Sequence, residues 1–89
     1  MAWIVRISES ALKELSAFGQ TEQKAILEYL KNRIERSEDP KVFGKPLRHT
    51  KQLWRYRVGK YRLICSIENE TYTVLVLKIG KRDKVYDKV

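Results

Sequence analysis

The chain has 89 residues, 43% of them hydrophobic, which is the size and apolar content of one small domain spanning residues 1–89. It contains 19 Lys and Arg residues against 11 Asp and Glu residues, giving a net charge of +8 and a pI of about 9.8. This balance predicts a polyanionic partner: nucleic acid, an acidic protein segment or a membrane surface. No run approaches the ~18 apolar residues of a membrane helix, and the first residues are too polar for a signal peptide. We therefore expect a cytoplasmic protein with no membrane partner.

The first half of the sequence predicts one strand and then two helices. Residues 3–7 alternate in polarity and are rich in β-branched side chains, which is typical of a strand. Ser8 is expected to cap the first helix, and Gly19 to end it in a left-handed conformation. Thr21 is expected to cap the second helix, which should stop before Pro40. The apolar stripe predicted for the first helix is Ala11, Leu12, Leu15 and Phe18.

The second half predicts a three-stranded meander after a basic connector at 42–52. Strands are expected at 54–58, 61–68 and 71–79, with Gly80 ending the last one. Gly59 and Lys60 form a two-residue loop in which a leading glycine suits a type II′ turn. The predicted fold class is α+β: a small, mostly antiparallel sheet in the order β-α-α-β-β-β, with the N-terminal helical hairpin packed on one face.

The two-residue loop fixes an unusual pair on the other face of the sheet. It places Arg57 opposite Arg62, and like charges directly opposite each other are destabilising. A bound phosphate would stabilise the pair, because its oxygens match the guanidinium fork. We also expect Leu77 beside Arg62, which would bring Lys81 and Arg82 near the same end of the sheet. Anion binding is therefore predicted, with nucleic acid the favoured anion and catalysis left open.

No motif in the sequence indicates a cofactor or a metal site, and we expect neither. The single histidine, His49, lies in the connector, and the single cysteine, Cys65, is expected to be a buried thiol that forms no internal disulfide. Taken alone, residues 81–84 are a solvated charge run, Tyr86 is an apolar plug, and Arg55 belongs to an exposed strand face. Only their combination favours a binding site.

Several segments resemble one known family along essentially the whole chain. They are Ala11-Leu12-Lys13-Glu14-Leu15, Lys45-Pro46-Leu47-Arg48, Trp54-Arg55-Tyr56-Arg57, Tyr61-Arg62-Leu63 and Gly80-Lys81-Arg82-Asp83-Lys84-Val85-Tyr86. The chain resembles the RelE-type toxins of bacterial toxin–antitoxin pairs, within the RelE/ParE superfamily. The resemblance implies a ribosome-dependent endoribonuclease that cuts mRNA in the aminoacyl site without a metal and is neutralised by a cognate antitoxin in a hetero-oligomeric complex. It also implies contacts with the ribosome, including 16S ribosomal RNA.

The resemblance also implies roles for individual residues. Arg62 and Arg57 would stabilise charge on the phosphate, Arg82 would stand near the leaving oxygen, and Tyr86 would contact the 2′-hydroxyl. Arg55 and Arg57 occupy positions that are lysines in some members; they keep the charge but accept protons less readily. The RNA-binding residues implied are Arg48, Lys45, Lys51 and Lys81.

Three alternatives remain open at the level of the sequence. A ParE-type toxin shares the fold but acts on DNA gyrase and does not need these side chains. A basic nucleic-acid-binding module would bind without cleaving. A degraded toxin would only hold its antitoxin.

Overall fold

The computed structural model describes residues 3–47 and 52–81, which form a five-stranded sheet with helices on one face. The strand order is β1-β5-β4-β3-β2; β1 runs parallel to β5 and the other pairs are antiparallel. The predicted α+β class is confirmed. The elements are β1 Ile4–Ile7, α1 Glu9–Ser16, α2 Gln20–Tyr29, a π-helical segment Leu30–Glu35, a 3-10 helix Pro40–Phe43, β2 Lys45–Pro46, β3 Leu53–Val58, β4 Tyr61–Glu68 and β5 Thr73–Lys81.

The start of α1 follows the prediction, but the junction between the helices does not. The Ser8 hydroxyl accepts a hydrogen bond from the Ala11 N–H and caps α1. The predictions for Gly19 and Thr21 were wrong: Gly19 is extended, with φ −66° and ψ 162°, and is itself the N-cap of α2. The Gln23 side chain donates to the Phe18 carbonyl instead, which satisfies an acceptor at the end of α1.

The helices bury narrow stripes against the sheet. Leu12 is 52% exposed, so its predicted place in the core was wrong. Successive residues lie about 100° apart around a helix, and α1 buries only the narrow stripe that contains Ala11 and Leu15. In the second helical stretch, the buried Ile26, Leu30 and Ile34 follow the expected spacing of four residues. With them the core contains Trp3, Tyr56, Leu63, Cys65, Ile67, Val74, Val76 and Ile79.

The β3–β4 hairpin has the predicted loop. Strands Leu53–Val58 and Tyr61–Glu68 leave two loop residues, and Gly59 has a φ of +58°. Lys60 is not in the positive-φ region, so the turn has the φ pattern of type II′. This loop holds Val58 opposite Tyr61 and Arg57 opposite Arg62, as predicted.

Strand β5 differs from the prediction at both ends. It begins at Thr73, after a connection in which Tyr72 has a φ of +50° and donates its N–H to the Asn69 carbonyl at 3.4 Å. It continues through Gly80 to Lys81, so Gly80 does not end it. The partner of Arg62 is Gly80 and not Leu77. Two features cause the difference: four residues and not two connect Glu68 to Thr73, which shifts the register by two, and a β-bulge places one extra residue in β5, which shifts it by one more.

Candidate nucleic-acid interface

The face of the sheet away from the helices, here called the outer face, carries two transverse rows of side chains. Residues that pair across strands share a face, and neighbouring strands lie about 4.8 Å apart. The first row contains Arg57, Arg62 and Gly80; the second contains Lys45, Arg55, Ile64 and Lys78. The only non-polar side chain in these two rows is Ile64. Cations therefore dominate this end of the outer face, as the sequence predicted.

The Arg57–Arg62 pair lies in the first row, next to the hairpin loop. Arg57 is exposed and Arg62 is half-buried, so the two guanidinium groups differ in their access to water. Burial of Arg62 lowers the local dielectric constant, and an anion that reaches it would interact more strongly than one at the open surface. The pair is therefore suited to a ligand that presents one anionic group to both residues.

A cleft of about 190 Å³ opens beside this pair, at the edge of β3 where Phe43 and Gly44 lead from the 3-10 helix into β2. Its volume corresponds to roughly six water molecules at about 30 Å³ each, so it admits one compact group such as a phosphate. We call it the basic cleft, because the lining residues within 3–47 and 52–81 have cationic and neutral side chains and no acidic one. The lining residues are Phe43, Gly44, Lys45, Arg55, Tyr56, Arg57 and Arg62.

Gly44 lets the wall of the basic cleft approach β3. A Cβ atom at this position would lie 2.7 Å from the backbone carbonyl oxygen of Arg55 and 2.8 Å from the Tyr56 ring. A backbone oxygen cannot swing aside as a flexible side chain can, so any side chain here pushes the chain away from β3. The 3-10 helix and Lys45 keep their places only because residue 44 is a glycine.

Tyr56 lines the cleft but is engaged elsewhere. Its hydroxyl donates a 2.8 Å hydrogen bond to the Pro40 carbonyl, which ties the 3-10 helix to the centre of β3. Burial is the main cause that raises the pKa of Tyr56 well above its ordinary value of 10.0. The phenol therefore stays protonated at neutral pH and is not available as a proton acceptor. Its part in the site is to position the wall that carries Lys45.

Lys78 is a cation of the outer face that the sequence did not predict. In strict alternation it would share the helix-facing side with Val74 and Val76. The bulge makes Cys65 pair with Val76 and Ile64 pair with Lys78, so Leu77 is the extra residue and Lys78 points to the outer face. One feature of the sequence is consistent with the bulge: after Val74 and Val76, the next apolar core residue is Ile79 and not residue 78.

The remaining predicted residues are less closely grouped. Lys81 pairs with Tyr61, whose ring packs against Phe18 with centroids 4.5 Å apart, so Lys81 does not share the row of Arg62. The predicted roles of Arg48, Lys51, Arg82 and Tyr86 concern residues outside the described ranges, as does His49.

Residues 3–47 and 52–81 lack two further features. No group of three or more His, Cys, Asp or Glu side chains in these ranges is placed to hold a metal ion. None of the helices in the same ranges has the length and apolar character needed to cross a bilayer.

The fold and the basic cleft together define a small α+β domain with a cationic face, and comparison with known proteins gives its family. The model of the family described as "ParE toxin of type II toxin-antitoxin system, parDE" matches residues 5–86. The chain is 30% identical over 86 residues to the mRNA interferase toxin RelE of Escherichia coli (strain K12), covering 94% of this chain and 87% of that protein. It is also 30% identical to toxin RelG of Mycobacterium tuberculosis over 87 residues, covering 97% and 98%.

Solved structures agree with the sequence relatives. The RelBE2 toxin–antitoxin complex from Mycobacterium tuberculosis matches with a TM-score of 0.83 at 29% identity, covering 92% of this chain and 93% of that one. The archaeal RelE–RelB complex from Pyrococcus horikoshii OT3 matches with a TM-score of 0.76 at 26% identity, covering 96% and 100%. The isolated RelE toxin of Escherichia coli matches with a TM-score of 0.63 at 28% identity, covering 98% and 94%.

This chain belongs to the RelE/ParE family of type II toxin–antitoxin toxins, and it is a RelE-type member. The RelE relatives from Escherichia coli (strain K12) and Shigella flexneri are named as mRNA interferases.

Proposed function

We propose that the protein is a ribosome-dependent endoribonuclease that cuts mRNA in the aminoacyl site and so stops translation. The observation that carries the proposal is the direct pairing of Arg57 with Arg62 beside a cleft that also contains Lys45 and Arg55. Like charges directly opposite each other repel, and a phosphate diester, the anion that mRNA would supply, would interact favourably with both guanidinium groups. The names of relatives that are 30% identical support an RNA substrate.

The proposed reaction is an internal transesterification. The 2′-hydroxyl oxygen of one nucleotide bonds to the adjacent phosphorus, and the bond from phosphorus to the 5′-oxygen breaks. The 2′-hydroxyl loses its proton, the leaving 5′-oxygen gains one, and the phosphate carries additional negative charge in between. The enzyme must therefore accept a proton, stabilise charge and return a proton.

The described part of the site fits the second of these tasks. In the proposed reaction Arg62 would stabilise the negative charge that develops on the phosphate, with Arg57 beside it, because a half-buried guanidinium is effective where charge develops. Arg55 and Lys45 would hold the same phosphate from the other side of the cleft. Arginine is almost never deprotonated in proteins, so neither Arg55 nor Arg57 is assigned as a base.

The proton transfers are assigned to residues of the C-terminal segment. Arg82 would stand near the leaving 5′-oxygen, as a charge stabiliser or donor, and Tyr86 would contact or deprotonate the 2′-hydroxyl or stack on a base. Arg48, Lys51 and Lys81 would contact the RNA backbone. Much of the catalysis would then come from positioning, part of which the ribosome supplies by holding the message in place.

The proposed protein partner is a cognate antitoxin. Two of the similar structures are complexes of a toxin with its antitoxin, one from Mycobacterium tuberculosis and one from Pyrococcus horikoshii. A toxin with a net charge of +8 and a cationic outer face is matched by an acidic, partly disordered segment. We expect that segment to form a hetero-oligomeric complex with the toxin in the cytoplasm of a bacterial or archaeal cell.

Primer extension on programmed ribosomes tests the proposal. The purified protein is added to ribosomes stalled with a defined codon in the aminoacyl site, and reverse transcription maps new 5′ ends. We expect one cut inside that codon, and none when the same mRNA is supplied without ribosomes.

Two other results would contradict the proposal. Growth arrest without any cut, together with inhibition of DNA gyrase supercoiling in vitro, would assign the chain to the gyrase-directed branch instead. If the protein causes neither cleavage nor growth arrest, it is a protein that only binds nucleic acid or its antitoxin.

A further inference from the structure

The β-bulge in β5 has a consequence for the outer face. By pairing Ile64 with Lys78, it turns a lysine that alternation would bury toward the same face as Arg55 and Arg62. It also places Gly80 directly opposite Arg62. Bulges commonly re-aim a side chain next to a functional site.

Gly80 leaves part of the first row without a side chain. A glycine inside a strand weakens it, and such a residue often marks a place where a ligand approaches the backbone closely. Arg62 borders this bare position on β4, and Lys78 borders it two residues earlier on β5. Lys78 and Arg62 are diagonal neighbours, with Cα atoms roughly 7–8 Å apart, which is within reach of two long cationic side chains.

Lys78 is well placed to bind an anion. Among residues 3–47 and 52–81 it forms no ion pair or hydrogen bond with a carboxylate, although it is only half-exposed. Its cross-strand neighbour Ile64 is 1% exposed, and the aliphatic stem of a lysine covers apolar surface while its ammonium group stays in water. Gly80 lies two residues further along the same face of β5, within reach of a lysine side chain at position 78.

We propose that Lys78 and the bare backbone of Gly80 form a second phosphate-binding subsite, adjacent to the basic cleft and sharing Arg62 with it. The two subsites lie on opposite sides of β4, so one single strand of RNA could cross the sheet with neighbouring phosphates in each. This assignment extends the proposed function, because it assumes that the polyanion in the basic cleft is an RNA strand. In the proposed complex, Lys78 binds the phosphate next to the phosphate that reacts.

The test measures how the binding of a short single-stranded oligoribonucleotide depends on salt, by fluorescence anisotropy. Each phosphate contact on a single strand contributes about 0.7 to the slope of log K against log salt concentration. Lys78→Met keeps the aliphatic stem and removes the charge, so we expect the slope to fall by about 0.7. Lys78→Arg should retain the wild-type slope. Lys24→Met, at an exposed position of α2 on the helical side, is the matched control and should also retain it.

A second probe locates the contact. Replacing one phosphate of the oligonucleotide at a time with an uncharged methylphosphonate should weaken wild-type binding at two neighbouring positions. In Lys78→Met one of these two effects should disappear. Gly80→Ala, which adds a methyl group to the bare position and leaves every charge in place, should weaken binding at that same phosphate.

Any of three results would refute the subsite: Lys78→Met keeps the wild-type slope, the slope falls as much in Lys24→Met as in Lys78→Met, or the wild type does not bind the oligonucleotide. These outcomes are separate from those of the cleavage experiment. If Lys78→Met has the wild-type slope and the wild type cleaves mRNA normally, the subsite is contradicted and the proposed function stands. If the salt dependence of binding falls in Lys78→Met but the wild type never cleaves mRNA, the subsite is supported and the proposed ribonuclease activity is contradicted.

Discussion

Arg57 and Arg62 are direct cross-strand partners in the β3–β4 hairpin, with side chains on the same face of the sheet. The two-residue loop at Gly59 fixes this register, so the chain cannot separate the charges without unfolding the hairpin. Placing two guanidinium groups together lowers stability and raises the affinity for an anion. The same pair therefore links the stability of the fold to the proposed binding of an anion.

The first prediction separates these two effects at Arg57. Arg57→Gln relieves the repulsion and should raise the free energy of unfolding by about 0.5 kcal/mol. Cleavage of ribosome-bound mRNA should fall by about 10–100-fold, because a charge that faces the phosphate is lost. Urea denaturation and a cleavage time course measure the two quantities. The control Lys24→Gln removes a charge from the helical side and should change neither the free energy of unfolding nor the cleavage rate. An Arg57→Gln protein that is less stable than the wild type and still cleaves normally would contradict the account.

This pair was predictable from the sequence, whereas the neighbouring strand was not. The loop at Gly59 and the alternation of Trp54, Tyr56 and Val58 with arginines determine both the turn and the face. Residues 74–77 are all apolar, so the sequence reveals neither the bulge in β5 nor the longer connection before Thr73, and the register of Arg62 with Gly80 could not be inferred. Lys78 was missed for the same reason.

The short helices show another limit of sequence reasoning. A glycine is typical of a helix C-terminus, but Gly19 adopts an extended conformation and is the N-cap of α2, while the Gln23 side chain donates a hydrogen bond to the Phe18 carbonyl. Within the basic cleft, the sequence identified Lys45 and the arginines as cations. It did not identify Gly44 or Tyr56, whose contribution depends on the close approach of the 3-10 helix to β3.

The second prediction concerns that close approach. Gly44→Ala places a methyl group against the Arg55 carbonyl oxygen and the Tyr56 ring, and should destabilise the fold by about 1–3 kcal/mol. Cleavage should fall as well, since Lys45 follows directly in the chain. Gly19→Ala is the matched control: its new Cβ meets only the flexible Glu22 carboxylate, at 2.6 Å, and its φ of −66° suits any residue. Equal melting temperatures for the two variants would show that the approach to β3 is not tight.

The third prediction concerns the bond between Tyr56 and Pro40. Tyr56→Phe leaves a buried carbonyl without its donor and should cost about 1–3 kcal/mol of unfolding free energy. Tyr72→Phe removes a hydroxyl from a side chain that is 44% exposed and should cost nothing measurable. Denaturation curves of both variants test this. A Tyr56→Phe protein as stable as the wild type would show that the 3-10 helix is held by other contacts.

The fourth prediction is a loss of stability in alkaline solution. Burial raises the pKa of the Cys65 thiol and of the Tyr56 phenol above their ordinary values of 9.0 and 10.0. The unfolded chain therefore releases these protons at a lower pH than the folded protein does, so stability is complete below about pH 8.5 and falls as the pH rises further. Cys65→Ala should flatten the first part of this decline in a series of urea titrations. If the decline in Cys65→Ala matches that of the wild type, the thiol is not its source.

The most direct test of the account is the single-turnover cleavage rate of Arg62→Gln on programmed ribosomes, measured together with its co-sedimentation with those ribosomes. If Arg62 stabilises the charge on the reacting phosphate, the rate should fall by about 10²–10³-fold while the variant still sediments with the ribosomes. Cleavage by Arg62→Gln at the wild-type rate would contradict the account, because the residue at the centre of the outer face would then have no part in the reaction.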